Sequence, residues 1–220
     1  MKKLLIDTST NSLVIILIDN DFVIDYIFEM IEKDHSRILM PKIAGLLQRN
    51  SLDINDIGGI IVANGPGSYT GLRIGVTVAK TLSYTLKLPL YKISTLRLMS
   101  ASFINQAKYL VPLIDARRKN VFSCLFKVEN NKLVLILDEK LYCYEVLLTL
   151  VKQHVKQEKV CFITDKANDL YIENEQFQVN LLQDYFNPQL ISNLAFIPVT
   201  NIHSFVPDYK RQTEAEMNLK

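Results

Sequence analysis

The apolar residues open in short blocks broken by polar turns, then change to a helical period. Lys3 to Asp7 reads as a short buried strand that ends in a carboxylate. After the polar turn Thr8-Ser9-Thr10-Asn11, Leu13 to Ile18 reads as a second strand, and Phe22 to Ile31 as a third beyond the tight turn Asn20-Asp21. Asp34 is placed to cap a helix from His35 to about Asn50, which Pro41 should bend. Gly59 to Ala63 is a β-branched strand, Thr70 to Leu86 a long helix, Leu90 to Ile93 a strand, and Ser94 to about Ala107 a helix.

After Lys108 the order restarts. Tyr109 to Asp115 is again a buried strand closed by a carboxylate, followed by strands at Val121–Val128 and Leu133–Leu141 around the turn Asn130-Asn131. A helix from Tyr144 to about Gln157 and a strand from Val160 to Thr164 come next. The topology therefore repeats although the sequence does not. It predicts an α/β chain of two related lobes, residues 1–107 and a smaller, divergent lobe at 108–220.

Composition narrows the classes without choosing among them. With 49% hydrophobic residues the 220-residue chain has material for a proper core, and a net charge of +2 gives no reason to expect autonomous nucleic-acid binding. The three cysteines, Cys124, Cys143 and Cys161, have no metal-ligand spacing, and their odd number argues against a disulfide framework. No secretory signal pattern and no stretch long enough to span a bilayer are visible, so a soluble, cytoplasmic protein is expected.

All seven glycines lie between Gly45 and Gly75, and four of them sit in the segment Gly65-Pro66-Gly67-Ser68-Tyr69-Thr70-Gly71-Leu72-Arg73-Ile74-Gly75. A strand, a glycine turn and a helix N-terminus can cradle phosphate, because unpaired N–H groups point at the ligand. The spacing does not fit the known versions. A dinucleotide fingerprint needs glycine where Thr70 stands, and a Walker A loop needs Gly-Lys-Ser/Thr where Gly71-Leu72-Arg73 stands. Tight chain reversal with close packing is the better reading.

Helical spacing supports it. Gly71, Gly75, Ala79 and Ser83 line one nearly bare face, with Ile74, Val78, Leu82 and Leu86 on one side and Leu72 and Val76 on the other. The apolar arc is wider than one sheet needs, and the preceding helix is also broadly apolar through Ile38, Leu39, Met40, Ile43, Leu46 and Leu47. Two such neighbours predict a subunit interface drawn from Ile38, Leu39, Ile43, Leu46, Gly71, Leu72, Gly75, Val76, Ala79 and Ser83.

The segments Ile6-Asp7-Thr8-Ser9-Thr10, His35-Ser36-Arg37-Ile38-Leu39, the glycine block, Ser94-Thr95-Leu96 and Ile114-Asp115-Ala116-Arg117, in this order, resemble the bacterial TsaB (YeaZ) family. The late Val206-Pro207-Asp208-Tyr209-Lys210-Arg211 fits less well, since Lys210 stands where the family tends to have leucine. The resemblance implies an actin/Hsp70-like (ASKHA) fold and a non-catalytic role. It also implies pairing with the catalytic paralogue TsaD through the first lobe's helices, with the ATPase TsaE joining them. The reaction served would be threonylcarbamoyl transfer to the N6 amine next to the anticodon, at adenosine 37 of tRNAs reading codons that begin with A. Whether the chain alone forms a homodimer on the same surface is left open by the sequence, and tRNA contact is expected mainly through the complex.

The rival reading is an ATP-dependent kinase or ATPase of the same superfold. Asp7-Thr8-Ser9 resembles a first phosphate loop and Asp115 begins the place of a second. Yet Ala116-Arg117-Arg118 follows where glycines are needed, and no glycine occurs after Gly75. Asp7, Thr8, Ser9 and Asp115 are thus expected to mark a degenerate nucleotide cleft, with no cofactor. A metallopeptidase site is also disfavoured: His35, His154 and His203 show no paired-ligand spacing. Arg73, Lys80 and the run Arg117-Arg118-Lys119 read first as solvated surface, and otherwise as contacts to an acidic partner or a tRNA phosphate.

Overall fold

A computed structural model describes residues 1–31, 34–166 and 177–210. The first sheet holds β1 (Lys2–Asp7), β2 (Ser12–Asp19), β3 (Phe22–Met30), β4 (Gly59–Ala63) and β5 (Leu90–Ile93). Between them lie α1 (His35–Arg49) and α2 (Tyr69–Leu86), and α3 (Thr95–Ala101) follows. The second sheet holds β6 (Tyr109–Asp115), β7 (Asn120–Glu129), β8 (Lys132–Cys143), β9 (Val160–Thr164) and β10 (Phe177–Leu181), with α4 (Tyr144–Val155) between β8 and β9. Two short helices, α5 (Leu182–Tyr185) and α6 (Pro188–Ser192), lead to β11 (Ile197–Pro198).

The repeat is visible in the strand orders. The first sheet runs β11-β5-β4-β1-β2-β3 and the second β10-β9-β6-β7-β8. In each, the opening strand pairs antiparallel with its hairpin neighbour and parallel with the strand that follows the first helix. This is the α/β, actin/Hsp70-like pattern of two topologically repeated lobes. Alternation along β1 explains the layers, because successive side chains of a strand face opposite ways. Leu4 and Ile6 join α1 and α2 in an outer core, whereas Leu5 joins α3 and the inner face of the second sheet in a central one. A third cluster packs α4 on the outside of the second sheet.

Three details differ from the expectations. The helix after Ser94 ends at Ala101 rather than near Ala107, and Ser102 to Gln106 continue as turns. Asp34 precedes α1 in a left-handed conformation (φ 76°) with no side-chain capping bond; its carbonyl accepts the Arg37 and Ile38 N–H groups instead. The chain also returns to the first lobe at its end: β11 pairs antiparallel with β5, and α6 packs on β3. Among the described residues, no helix is long and apolar enough to cross a membrane.

Candidate functional site

The glycine-rich junction is filled by the chain itself. β1 delivers Asp7 to the turn that follows it, where one carboxylate oxygen accepts both the Ser9 N–H (2.8 Å) and the Ser9 hydroxyl (2.5 Å). Thr8 donates its hydroxyl to the Gly71 carbonyl at 2.7 Å, and the Ser68 N–H donates to the Ser9 carbonyl at 2.7 Å. The first turn of α2 therefore rests directly on Thr8 and Ser9. A Cβ on Gly67 would lie 2.3 Å from the Ser9 carbonyl oxygen, and one on Gly71 2.0 Å from that of Thr8. Gly65 is needed for conformation as well, with φ +126° and the Asp208 carbonyl 2.1 Å from the place of a Cβ.

Between the lobes lies a cavity of about 1000 Å³. Ser9, Thr10, Asn11, Gly67 and Ser68 line one wall, and Asp115, Arg117, Lys119, Asn120, Tyr144 and Glu145 the other. Of the four residues expected at a degenerate nucleotide cleft, Ser9 and Asp115 reach this cavity, while Asp7 and Thr8 lie buried beneath its floor. Burial is the main cause that holds the Asp7 carboxyl above its ordinary value, partly offset by the two bonds from Ser9. Asp165, which no motif singles out, accepts the Asn11 N–H (2.9 Å) and side-chain amide (3.0 Å) and so ties the lobes across the cleft.

The second wall is built differently from a phosphate loop. Asp115 accepts the Arg117 N–H at 2.8 Å, so that donor is already used. Arg117, Arg118 and Lys119 are all left-handed (φ 68°, 53° and 59°), a conformation that glycine adopts at no cost and these residues do not. Two of these charges face loose, exposed partners, Arg117 to Asp115 and Lys119 to Glu145, each at 3.9 Å.

Groups suited to metal or nucleophilic chemistry do not converge. Among the described residues, no group of three or more His, Cys, Asp or Glu is placed to hold a metal ion. His35 lies 3.4 Å from the Ser12 carbonyl, His154 sits 2.8 Å from the Leu150 carbonyl, and His203 meets the Tyr84 ring edge-on. Cys124 and Cys161 are buried, and burial pushes the Cys161 thiol up to about 11. Such thiols are poor nucleophiles.

The two outer helices need a correction in which residues they can offer. Leu39, Ile43, Leu46, Gly71, Leu72, Gly75, Val76, Ala79 and Ser83 are buried inside the chain. Of the residues expected at a partner surface, only Ile38 stays partly open. The reason is local: the bare face of α2 is occupied by Thr8, whose hydroxyl oxygen would lie 2.6 Å from a Cβ on Gly75. A second face of α2 is also taken, by the returning segment after β11. Tyr209 stacks on Tyr69 (4.8 Å between centroids), Arg73 donates to the Tyr209 hydroxyl at 3.0 Å, and Lys80 donates to the His203 and Phe205 carbonyls at 3.1 and 2.7 Å. Residues 69, 73, 80 and 84 are spaced by whole helical turns, so the contacts form one line along the helix.

What remains is a third face. On α2 it carries exposed Thr70, Thr77 and Thr81 beside half-buried Ile74 and Val78; on α1 it carries exposed Met40, Pro41, Ala44 and Gly45. Beyond the backbone of its own helix and its chain neighbours, no atom of the described residues lies within 4 Å of where a Gly45 Cβ would be.

Comparison with known proteins places this geometry among relatives. Residues 28–184 match the family model described as TsaD, tRNA N6-adenosine threonylcarbamoyltransferase. The tRNA threonylcarbamoyladenosine biosynthesis protein TsaB of Bacillus subtilis is 34% identical over 98% of this chain and 96% of its own. The protein of the same name from Escherichia coli is 32% identical over 60% of this chain and 57% of its own. Among solved structures, YeaZ from Pseudomonas aeruginosa superposes with a TM-score of 0.59 at 25% identity over 64% of this chain and 66% of that one. An uncharacterized protein with similarity to the peptidase YEAZ from Pseudomonas aeruginosa reaches a TM-score of 0.74 over 96% of this chain and 99% of that one, at 19% identity, a likeness of fold.

Proposed function

The chain belongs to the TsaB family, and from that premise we propose that it serves tRNA threonylcarbamoyladenosine biosynthesis as a scaffold subunit without chemistry of its own. It pairs with the TsaD paralogue, which transfers the threonylcarbamoyl group to adenosine in tRNA, and the ATPase TsaE joins the pair. The observation that carries this reading is the filled glycine junction. Thr8 and Ser9 occupy the backbone approach that a phosphate would need, so the most specific motif of the chain is spent on internal packing.

The docking surface is then the third face of the α1–α2 pair, around Met40, Ala44, Gly45, Ile74 and Val78, and the same face serves a homodimer when the chain is alone. Small and apolar exposed residues side by side suit close approach by another helix pair. The alternative, an ATP-dependent kinase or ATPase, has the interlobe cavity in its favour and the glycine-free loop at Asp115 against it.

Reconstitution separates the two. Threonylcarbamoyl transfer to tRNA is measured with TsaD, TsaE and the adenylate-forming enzyme, with and without this chain, beside ATP hydrolysis by this chain alone. Transfer that requires the chain, with no hydrolysis by it alone, is the expected result. Transfer unaffected by its omission would sink the scaffold reading, and hydrolysis by the isolated chain would favour the alternative.

A further inference from the structure

We propose that Arg73 is a preset docking point for a carboxylate on the protein that seats against α1 and α2; the proposal rests on the pairing reading above. An exposed arginine ordinarily samples many rotamers, and fixing it on binding opposes association. Arg73 is exposed yet already held. Its guanidinium lies 4.1 Å from the centre of the Tyr69 ring, its Nε donates to the Tyr209 hydroxyl at 3.0 Å, and the two tyrosine rings stack on each other. Only Nε is engaged in this clamp. Among the described residues no acceptor pairs with its two Nη groups, and no carboxylate lies within ion-pair distance. The planar fork therefore points outward with its orientation settled, the geometry that a bidentate carboxylate uses.

The surroundings favour a carboxylate over a phosphodiester. Nucleic-acid phosphates are bound by several cations acting together. Here the neighbouring Lys210 is neutralised by Asp208 at 2.8 Å, and Arg97 turns inward to the Leu133 carbonyl and the Phe126 ring. Among the described residues, Arg73 is one fixed cation rather than part of a basic field. It also adjoins the third face: Thr70, Ile74 and Thr77 are its neighbours at one and at three to four residues along α2. A charged anchor at the edge of a small apolar centre is the usual anatomy of a protein interface, and Arg and Tyr are enriched among its strongest contributors. In this arrangement Tyr69 and Tyr209 are positioning residues and Arg73 makes the contact.

The test is titration of the purified chain with the TsaD-family partner, together with thermal melting of each variant. Arg73→Ala should weaken binding on the order of tenfold or more with little change in melting. Arg73→Lys should fail to restore it, because the charge is kept but the fork is lost. Tyr209→Phe should give a smaller loss of about threefold, since the ring stays and the Nε acceptor goes. Gly45→Trp is the control for the face itself. Arg73→Ala binding like the parent while Gly45→Trp does not bind would overturn the anchor and leave the pairing standing. No binding by the parent chain would remove the pairing reading and this inference with it. Two further results would also overturn it: loss of tRNA affinity by Arg73→Ala with partner affinity unchanged, or the same loss of partner affinity in a Glu214→Gln, Glu216→Gln chain, which would assign the fork to the chain's own tail.

Discussion

The Thr8 hydroxyl oxygen stands 2.6 Å from where a Cβ on Gly75 would lie, and the same hydroxyl donates to the Gly71 carbonyl one turn earlier. A single side chain on the first turn of the sheet thus sets how close the long outer helix can come.

Gly75→Ala should therefore act on folding, with a cost of about 1–3 kcal/mol from overpacking against Thr8. Without the Thr8 hydroxyl, the nearest atoms to that Cβ are the Val62 and Thr8 side-chain carbons at 3.7 and 3.8 Å, ordinary contacts. The Thr8→Ala, Gly75→Ala double variant should then be less destabilised than the sum of the two single variants, by urea titration. Strict additivity would remove this account of the glycine. Gly75→Leu, by the same geometry, reports on misfolding before it reports on any partner.

Gly45 offers the cleaner probe of the partner face. It stands on the exposed side of α1 with no atom of the described residues beyond its own helix within 4 Å of a Cβ, so Gly45→Trp should hold or slightly raise the melting temperature, glycine being a poor helix former. Affinity for the TsaD-family partner should fall at least tenfold, because an indole would stand between two closely packed helix pairs. Met40→Asp, at a side chain 44% exposed, should weaken pairing in the same direction. Unchanged affinity in both variants would move the docking surface off these helices.

Asp7 makes a pH-dependent prediction. Its folded carboxyl is held above the ordinary 3.8, chiefly by burial. As pH rises above 3.8 the unfolded chain releases this proton while the folded chain retains it, so folding weakens across that window and levels off once the folded group ionises. Both Ser9 bonds end on one carboxylate oxygen, which an asparagine carbonyl can replace. Asp7→Asn should thus stabilise the chain at neutral pH, with the gain shrinking as pH approaches 4, and leave partner affinity unchanged. Equal stabilities at all pH values would contradict it.

Much of this architecture is legible in local pattern. Strand alternation, the left-handed Asn130-Asn131 turn and the Ser68 cap of α2 are short-range features, and the repeat follows from their order. The partners of the small-residue face are not legible, because Thr8 lies 63 residues from Gly71 and periodicity says that a face is bare without saying what fills it. Arg73 and Lys80 read as solvated for the same reason: the Tyr209 hydroxyl that Arg73 meets and the His203 and Phe205 carbonyls that Lys80 meets belong to a segment far along the chain. Asp165 carries no motif and becomes visible only when β9 places it beside Asn11.

The returning segment sets the limit on dividing the chain in two. β11 covers the edge of β5, the Val199 N–H donates to the Leu90 carbonyl at 2.9 Å, and Phe205, 9% exposed, completes the core under α2. Phe205→Ala should cost about 2–4 kcal/mol, somewhat less than a central phenylalanine because the site lies at the rim of its cluster. Hydrogen exchange should rise along β5 and α2 together, not at the C-terminal end alone. A fragment of residues 1–107 would lack β11 and the line of contacts to Tyr69, Arg73 and Lys80, leaving an open β5 edge beside an uncovered helix face. It should aggregate or melt well below the whole chain. A fragment that folds with parental stability would show that the returning segment decorates the first lobe without holding it.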